Sequence, residues 1–521
     1  MSTALATVAV PTPLEYAGRR ALVVGLGESG LAMAQWLAFK GASLRVADSR
    51  QAPPGLDDLK QRLARVEAQA GHKTELQLKL GEFDKSLLAD VDVIAWSPGL
   101  STEIGSSADF YQAALEQGVT VIGELDLFAQ ALADLGQDGD YRPAVIAVTG
   151  TNGKTTTVRL VQHLCEAAGK SVIAAGNISP SLLDALFDAL QAGTLPSIWA
   201  LELSSFQLSI CSTFAPSVAT ILNFSQNHLD WHSTADTYAK AKQNVFGKGL
   251  RPNHNAAAVH VKNREQPSLI AAASTAISLS FGSDVPTQVG EFGLVREGGL
   301  VWLAQGLSDD GAVMPMALST GRRSRKPVQQ SDIVIKRLMP GDALKIRGRH
   351  NQMNALAALA LCTAVGVPMA AMLHGLRSFA GEPHRCQLIA IVNDIEFYND
   401  SKATTVAATV AALSGLDKPS VLIAGGKGKG QDFSALAQPV REHAKAVFLI
   451  GVDAPQLQQA LNGTGIAVSL CASLQDAVKA AADVVRPGQV VLMSPACASL
   501  DMFTNYEARG HAFIAAVEAL Q

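Results

Sequence analysis

Residues 147–157 read AVTGTNGKTTT, an apolar strand that runs into a glycine-bracketed turn, a lysine and a series of hydroxyl side chains. A turn between a strand and a helix directs backbone N–H groups and the positive end of the helix dipole at one place, where phosphate groups bind. Lys154 adds a full positive charge there, and Thr155 offers a hydroxyl to Mg²⁺. The pattern therefore predicts a binding site for ATP.

The loop departs from the common phosphate-loop pattern G-x-x-x-x-G-K-[ST] at its first position. Counting back from Gly153 places Val148 where that pattern has a glycine. The departure points away from generic ATPases.

A carboxylate follows another apolar strand. Glu202 lies in LELSSFQ, and a carboxylate in so apolar a run is costly unless a cation compensates its charge. If its strand neighbours the phosphate loop, Glu202 would meet the Mg²⁺ bound by Thr155. The alternative is a capping acid near the sheet edge.

An imidazole follows the next predicted strand. His228 lies in NFSQNHLDWH, and imidazole can ligate a divalent cation. An ordinary histidine without a site role is the alternative. The spacing of His228 and His232 resembles half of a zinc motif, but Leu229 stands where that motif requires glutamate. We therefore do not expect zinc.

A lysine lies between aromatic residues in the segment 238–246. Tyr238, Lys242 and Phe246 share one helix face at i, i+4 spacing, so burial of that face should lower the lysine pKa. A neutral amine can take up carbon dioxide and become a carbamate, a two-oxygen metal ligand. From chemistry alone, a solvated lysine is the alternative.

The elements that must position these residues follow an α/β pattern, with short apolar runs alternating with amphipathic stretches. We predict an α/β fold with three domains: a Rossmann-like domain over 1–135, a central α/β domain with the phosphate loop over 136–381, and a C-terminal Rossmann-like domain over 382–521. Between 247 and 341 we expect an irregular, mostly β excursion. Strands are predicted at 21–24, 44–47, 93–96, 144–148, 172–174, 198–203, 218–222, 396–398, 421–424, 447–450 and 490–493, and a helix at 351–365.

The first domain carries a second glycine-rich turn. Residues 25–30 read GLGESG, and Asp48 ends the next strand, which resembles a dinucleotide fingerprint. Any nucleotide diphosphate can occupy such a turn. Ser97-Pro98-Gly99 ends the third strand. All three features lie at the carboxyl ends of strands, where open α/β sheets bind ligands.

Composition limits the class of protein. With 521 residues, 48% hydrophobic and 17% charged, the chain should be compact and globular. A net charge of −4 provides no broad basic field for nucleic acid. No apolar run is long enough to span a bilayer and the N-terminus lacks a basic signal start, so we expect a cytoplasmic protein. The six cysteines form no C-x-x-C pair and are expected to be reduced and buried.

Eight motifs occur in one order over nearly the whole chain. They are GTNGKTT, ELSSFQL, NHLD followed by YAKAK, GRHNQMNALAA, PHR, NDSKATT, GGKGKGQDF and SPACASLDMFTNYEARG. Together they resemble the Mur ligases of peptidoglycan synthesis, and within that family the members that add D-glutamate to UDP-N-acetylmuramoyl-L-alanine. The resemblance implies that ATP phosphorylates the alanine carboxylate. The amine of D-glutamate then attacks the acyl phosphate, and phosphate leaves from a tetrahedral intermediate.

Site residues follow from the resemblance, motif by motif. It implies catalytic roles for Lys154, His228, Lys242 and Lys402. Nucleotide contacts fall on Gly150, Asn152, Gly153, Lys154, Thr155, Thr156, Asn351, Asn354, Arg385 and Asp400. The UDP-substrate contacts are Gly27, Glu28, Ser29, Asp48, Ser49, Arg50, Ser97 and Gly99, with Asn177 on the muramoyl part. The acceptor side takes Thr404, Lys429, Ser499, Leu500 and Tyr506.

The resemblance also implies two Mg²⁺ ions. Thr155 and Glu202 would bind the first, and His228 with carbamylated Lys242 the second. The partners would be the two small-molecule substrates, without nucleic acid or a membrane span, and the protein would be a monomer. Glu28 and Lys427 depart from the family pattern.

Two other functions remain as alternatives. One is another amide ligase of the same group, such as the alanine-adding or folyl-polyglutamate enzyme. The other is an NAD-dependent oxidoreductase built on the first domain, which would leave the phosphate loop, Glu202 and His228 unexplained.

Overall fold

The computed structural model describes residues 16–70, 73–138, 141–225, 228, 231–247, 259–269, 277–309, 333–416, 418–428 and 430–520. The chain forms two compact units. The first comprises 1–294, 304–337 and 356–372, and the second comprises 295–303, 338–355 and 373–521. Within the described residues, no helix is both long and apolar enough to cross a membrane.

The N-terminal sheet is parallel and has five strands, in the order β3-β2-β1-β4-β5. Its central strand is the apolar run RALVV, of which four residues are buried, as expected for a parallel strand covered on both faces. The strands are β1 (Arg20–Val24), β2 (Ser43–Asp48), β3 (Leu76–Leu80), β4 (Val93–Trp96) and β5 (Thr120–Ile122). The helices between and after them are α1 (Glu28–Phe39), α2 (Leu56–Ala70), α3 (Ser106–Glu116) and α4 (Glu124–Asp138).

The middle sheet has nine strands, in the order β14-β13-β12-β11-β10-β9-β6-β8-β7. These are β6 (Ala144–Thr149), β7 (Val172–Gly176), β8 (Ile198–Glu202), β9 (Val218–Ile221), β10 (Val259–Asn263), β11 (Ile277–Phe281), β12 (Glu291–Glu297), β13 (Leu300–Leu307) and β14 (Val334–Pro340). The accompanying helices are α5 (Lys154–Ala167), α6 (Leu182–Ala192), α7 (Ser205–Ile210), α8 (Ala235–Gln243), α9 (Arg349–Ala364) and α10 (Met369–Ser378).

The described residues between 247 and 341 are mostly β, as predicted, but they are not irregular throughout. Their strands continue the middle sheet, and β10 pairs in parallel with both β9 and β11. The expectation of an irregular excursion was wrong. The short apolar runs pair side by side as strands of one sheet, and the Gly, Pro and Ser residues between them give no sign of that pairing in the sequence.

The C-terminal sheet has six strands, in the order β15-β16-β20-β17-β18-β19. The chain enters it through an antiparallel pair, β15 with β16, and the remaining pairs are parallel. The strands are β15 (Gln387–Val392), β16 (Ile395–Asn399), β17 (Ser420–Gly425), β18 (Ala444–Ile450), β19 (Ala467–Leu470) and β20 (Val490–Met493). The helices are α11 (Val406–Gly415), α12 (Ala437–His443), α13 (Ala454–Ala460), α14 (Leu474–Val484) and α15 (Tyr506–Glu518).

One hydrophobic cluster in the first unit joins the N-terminal and middle sheets. It includes buried residues of α1 and α6, and the Phe128 ring meets the Trp199 indole edge-on at 5.1 Å. An ion pair between Arg62 of α2 and Asp184 of α6 lies across the same junction. The two sheets of this unit therefore share a continuous core.

All six cysteines are free. Cys165, Cys211, Cys362 and Cys497 are buried as expected, whereas Cys386 and Cys471 are partly exposed. The expectation of burial is thus wrong for those two.

Candidate functional site

The phosphate loop lies between β6 and α5, as predicted. Gly150 and Gly153 adopt φ values of +157° and +82°, which favour glycine. The loop is pinned to the segment after β9, because the Asn152 N–H donates to Asn223 Oδ1 at 2.8 Å and Asn223 Nδ2 donates to the Asn152 carbonyl at 3.0 Å. Lys154 Nζ donates to the carbonyl oxygen of Gly150 at 3.0 Å. The lysine is therefore placed over its own loop, at the amino end of α5.

Glu202 ends the strand beside the phosphate-loop strand. The register pairs Val148 of β6 with Glu202 of β8, which confirms that the two strands are neighbours. The Glu202 side chain is buried, and its Oε1 accepts a hydrogen bond from Asn177 Nδ2 at 2.8 Å. Its Oε2 is buried and accepts no hydrogen bond in the described structure. A buried anionic oxygen without a donor fits a cation at this place.

The donor set at this edge limits which ion fits. The part of the chain that the structure describes contains no cluster of three His, Cys, Asp or Glu side chains with metal-binding geometry. A cation beside Glu202 would therefore also need oxygen from a hydroxyl such as that of Thr155, or from a modified side chain. Oxygen ligands of this kind suit Mg²⁺.

Lys242 of α8 is buried and points at the phosphate loop. Its Nζ donates to the Gly150 carbonyl oxygen at 3.0 Å and lies 4.5 Å from the centre of the Tyr238 ring. Burial, reinforced by the nearby charge of Lys154, lowers the pKa of Lys242 to about 6. The solvated lysine is excluded, and the predicted depressed pKa is confirmed.

Only two of the three residues predicted to share one helix face, Tyr238 and Lys242, lie in α8. α8 ends at Gln243, and Phe246 belongs to a following 3₁₀ turn, where its ring lies 4.5 Å from that of His260. The helix is shorter than the i, i+4 pattern suggested. Tyr238 is therefore the aromatic contact of Lys242 that the structure describes.

His228 lies in the loop after β9 with a φ of +56°. Its ring is 4.9 Å from that of Phe206 and 5.9 Å from that of Tyr238. Tyr238 thus contacts both His228 and Lys242. The structure places both predicted residues against one aromatic ring.

The glycine-rich turn of the first domain is held by Asp48. The Asp48 carboxylate accepts hydrogen bonds from the Leu26 N–H at 2.7 Å and from Arg50 Nη2 at 2.8 Å. Burial alone would raise the pKa of Asp48, but the hydrogen bonds from Arg50 and Leu26 outweigh it and hold the pKa below its ordinary value. Asp48 therefore shapes the turn as a carboxylate.

The turn after β1 leaves the amino end of α1 uncovered. Ser97 Oγ donates to the Gly25 carbonyl at 2.9 Å, which joins the turns after β1 and β4. Gly27, the cap residue of α1, has no atom within 4 Å of its would-be Cβ, and Glu28 is exposed beside it. Of the other predicted residues, Ser29 lies in the first turn of α1, Ser49 directly follows β2, and Gly99 lies in the turn after β4. The open N–H groups of α1 suit a diphosphate.

In the second unit, two predicted nucleotide residues form a buried pair. Asn354 Nδ2 donates to Asn351 Oδ1 at 3.1 Å, and Asn351 Nδ2 donates to the Arg347 carbonyl at 2.8 Å. These bonds fix the amide orientation at the start of α9.

Asp400 follows β16 and is also tightly held. Its carboxylate accepts from Ser494 Oγ at 2.7 Å and from the Cys386 N–H at 3.0 Å. Burial raises its pKa to about 7. Arg385 adjoins Cys386 in the preceding turn, and its charge opposes the rise.

The predicted acceptor residues occupy segments of the same unit. Lys402 Nζ lies 5.1 Å from the centre of the Tyr506 ring, whereas Thr404 lies just before α11. Ser499 is buried, and Leu500 is exposed. Lys429 lies outside the described residues.

Comparisons with known proteins give the family. Three family models match in chain order: the MurD-like N-terminal domain of Mur ligases over 19–123, the Mur ligase middle domain over 148–291, and the Mur ligase glutamate ligase domain over 384–497. The UDP-N-acetylmuramoylalanine–D-glutamate ligase of Burkholderia mallei (strain SAVP1) is 50% identical over 504 residues, which cover 95% of this chain and 96% of that protein. The chain belongs to the Mur ligase family.

Solved structures share the Mur ligase fold. The MurF ligase of Thermotoga maritima, in complex with ADP, has a TM-score of 0.52 and 17% identity, covering 82% of this chain and 96% of that one. The folylpolyglutamate synthase of Mycobacterium tuberculosis, also with ADP, has a TM-score of 0.51 and 16% identity, covering 75% and 94%.

The Mur ligase site contains contacts that sequence reasoning missed. Glu103 carried no motif signal, Ser205 lies in the ELSSFQL motif but was given no role, and His232 was considered only as half of a zinc motif. In the structure these three side chains are linked. Glu103 lies 129 residues before His232 in the chain, and no local spacing could reveal that contact.

Proposed function

We propose that this chain is an ATP-dependent amide ligase that adds D-glutamate to UDP-N-acetylmuramoyl-L-alanine in peptidoglycan precursor synthesis, releasing ADP and phosphate. The observation that carries the proposal is the 50% identity, over nearly the whole length, to a ligase of that name. The site geometry supports it, since the phosphate loop adjoins a buried carboxylate and a buried neutral amine.

The chemistry requires activation of a carboxylate. A carboxylate is a poor acyl donor until one of its oxygens becomes part of a good leaving group. Transfer of the γ-phosphoryl group to the alanine carboxylate provides that leaving group. The D-glutamate amine then attacks the carbonyl carbon and loses one proton to solvent, a tetrahedral intermediate forms, and its C–O bond to phosphate breaks. The amino end of α5 and Lys154 would stabilise the phosphoryl oxygens.

We further propose two Mg²⁺ ions, which would screen the repulsion between the γ-phosphate and the acceptor carboxylate. Thr155 and Glu202 would hold the first ion. His228 and a carbamate on Lys242 would hold the second. A neutral Lys242 amine adds to carbon dioxide and releases one proton, and the lowered pKa supports that step.

The proposed substrate contacts follow the motifs of the family. The UDP group would bind at Gly27, Glu28, Ser29, the turn 48–50 and the Ser97–Gly99 turn, with Asn177 on the muramoyl part. Asn351, Asn354, Arg385 and Asp400 would face the nucleotide. D-Glutamate would bind among Lys402, Thr404, Lys429, Ser499, Leu500 and Tyr506. Three domains over 1–135, 136–381 and 382–521, a monomeric state and a cytoplasmic location complete the proposal.

The decisive experiment measures phosphate release from ATP with the UDP-muramoyl substrates and a panel of amino acids. Release should require UDP-N-acetylmuramoyl-L-alanine and D-glutamate together. Release with L-alanine and UDP-N-acetylmuramate, or with a folate and glutamate, but not with this pair would contradict the proposal and favour another ligase of the family.

A further inference from the structure

Three side chains from separate segments of the first unit form a hydrogen-bonded chain. His232 is fully buried; its Nε2 lies 3.0 Å from Ser205 Oγ and its Nδ1 lies 3.4 Å from Glu103 Oε1. A carboxylate only accepts hydrogen bonds, so Nδ1 carries a proton toward Glu103. In the neutral ring, Nε2 then accepts from the Ser205 hydroxyl.

The order acid, imidazole, hydroxyl is also that of a hydrolytic triad. Ser205, however, is only 2% exposed and begins α7, next to a capping box formed by Ser204 and Gln207. Its hydroxyl has no open side for a substrate. The chain therefore orients protein segments and supplies no nucleophile.

Glu103 holds the loop at a second point. Its Oε2 accepts from the Ser233 N–H at 2.9 Å and from Ser233 Oγ at 2.6 Å. Burial alone would raise the pKa of Glu103, but hydrogen bonds from Ser233, Thr237 and His232 outweigh it and keep the pKa below its ordinary value. Glu103 thus stays a carboxylate and binds the loop through both oxygens.

The segment that carries Glu103 makes further contacts with the same loop. Trp231 Nε1 donates to the Pro98 carbonyl at 3.1 Å, and Ser101 Oγ donates to the Trp231 carbonyl at 2.7 Å. Phe206 stacks on Trp231 with ring centres 4.8 Å apart. Residues 231–233 are therefore fixed between the segment after β4 and the start of α7.

This arrangement joins three parts of the candidate site. Pro98 belongs to the Ser97–Gly99 turn, and Ser205 lies three residues after Glu202. The His228 carbonyl accepts from the N–H groups of Trp231 and His232 at 3.1 and 2.9 Å, which ties His228 to the fixed residues. We propose that Glu103, His232 and Ser205 are positioning residues that set His228 and Glu202 relative to the Ser97–Gly99 turn. The inference rests on the proposed function, for which these are the metal and UDP-substrate residues.

The test measures Mn²⁺ binding by electron paramagnetic resonance in the presence of a non-hydrolysable ATP analogue, with and without UDP-N-acetylmuramoyl-L-alanine. Glu103→Gln removes the charge, and His232→Phe retains a buried ring without its hydrogen bonds. Each should weaken Mn²⁺ binding about tenfold or more, the usual effect of losing an outer partner of a metal ligand. Each should also raise the KM for the UDP substrate more than it lowers kcat.

Asp126→Asn is the matched control. Asp126 of α4 is also a buried carboxylate at the junction of the two sheets, where it accepts from the Ser212 and Thr213 N–H groups at 2.9 and 2.8 Å. It does not hold the His228 loop. The control should lower the melting temperature and leave Mn²⁺ affinity within about twofold of the wild type.

Two results would be decisive. Unchanged Mn²⁺ affinity and KM in both variants, with only a loss of thermal stability like that of the control, would overturn the positioning role. If one variant does not fold, the other still decides. If the wild type fails to use D-glutamate while both variants still weaken Mn²⁺ binding, the proposed substrate is wrong and the positioning role stands.

Discussion

Lys154 and Lys242 donate hydrogen bonds to the same carbonyl oxygen, that of Gly150, each at 3.0 Å. Their nitrogens are therefore separated by at most twice that distance. Burial disfavours the charge on Lys242, and repulsion from the nearby ammonium group of Lys154 disfavours it further. The lowered pKa, about 6, leaves Lys242 mostly neutral at neutral pH, so that Lys154 carries the positive charge of the pair.

Lys242→Ala should abolish turnover, because it removes the amine that would carry the carbamate. Acetate or formate should restore part of the activity by replacing the lost carboxylate. Lys240→Ala is the control, since that side chain is on the same helix, is 70% exposed and pairs with Asp236. Phosphate release with and without added carboxylate measures both variants. Full activity of Lys242→Ala without an additive would refute this role.

Glu202→Gln should raise the Mg²⁺ concentration needed for half-maximal activity. The amide oxygen can still accept from Asn177, but the buried negative charge is lost. We expect an increase of more than about tenfold, because even outer partners of metal ligands commonly have effects of that size. A Mg²⁺ titration of phosphate release measures it. Glu166→Gln, at an exposed glutamate at the end of α5, should leave the titration unchanged; an equal shift in both variants would contradict the assignment.

The order of elements and the main site residues were predictable because they depend on local patterns. Apolar runs fixed the strands, and parallel strands place their carboxyl ends at one edge, so Glu202 was expected beside the phosphate loop. The register between β6 and β8 confirms that expectation.

Contacts between distant segments were not predictable. Glu103 has no motif around it, and its hydrogen bonds to His232 and Ser233 depend on how the first sheet packs on the second. The strand β10 was missed for a related reason, since only its pairing with β9 and β11 makes the segment regular. The Glu103 contacts and the strand β10 both depend on which distant segments lie side by side in the folded chain. Short-range sequence periodicity does not encode that.

Two glycines of the first turn should behave differently when replaced by alanine. A Cβ on Gly30 would lie 1.8 Å from the Gly25 carbonyl oxygen, so Gly30→Ala should destabilise the fold by about 1–3 kcal/mol or more. Gly27 has a φ of −89° and an empty surrounding, so Gly27→Ala should lower the melting temperature far less, by no more than alanine costs at a helix N-cap. It should raise the KM for the UDP substrate severalfold, because the methyl group would obstruct close approach of a diphosphate. An unchanged KM in Gly27→Ala would count against a diphosphate at this turn.

Glu124 should make stability depend on pH. The side chain is buried at the start of α4, where its Oε1 accepts from the Leu183 N–H at 3.0 Å, and burial raises its pKa from 4.5 to about 7. The folded protein thus keeps this proton up to about pH 7, whereas the unfolded chain loses it near pH 4.5. Ionisation of Glu124 therefore reduces stability as the pH rises through that interval, by up to about 3 kcal/mol.

Glu124→Gln removes this titration, so its stability relative to the wild type should improve between pH 5 and pH 8. Denaturant unfolding of both proteins across that range measures the difference. Glu116→Gln, at an exposed glutamate of α3, is the control and should follow the wild type at every pH. Parallel curves of unfolding free energy against pH for Glu124→Gln and the wild type would contradict this prediction. They would mean that Glu124 has the same pKa in the folded and the unfolded chain, so that the hydrogen bond from Leu183 fully offsets the cost of burying the carboxylate charge.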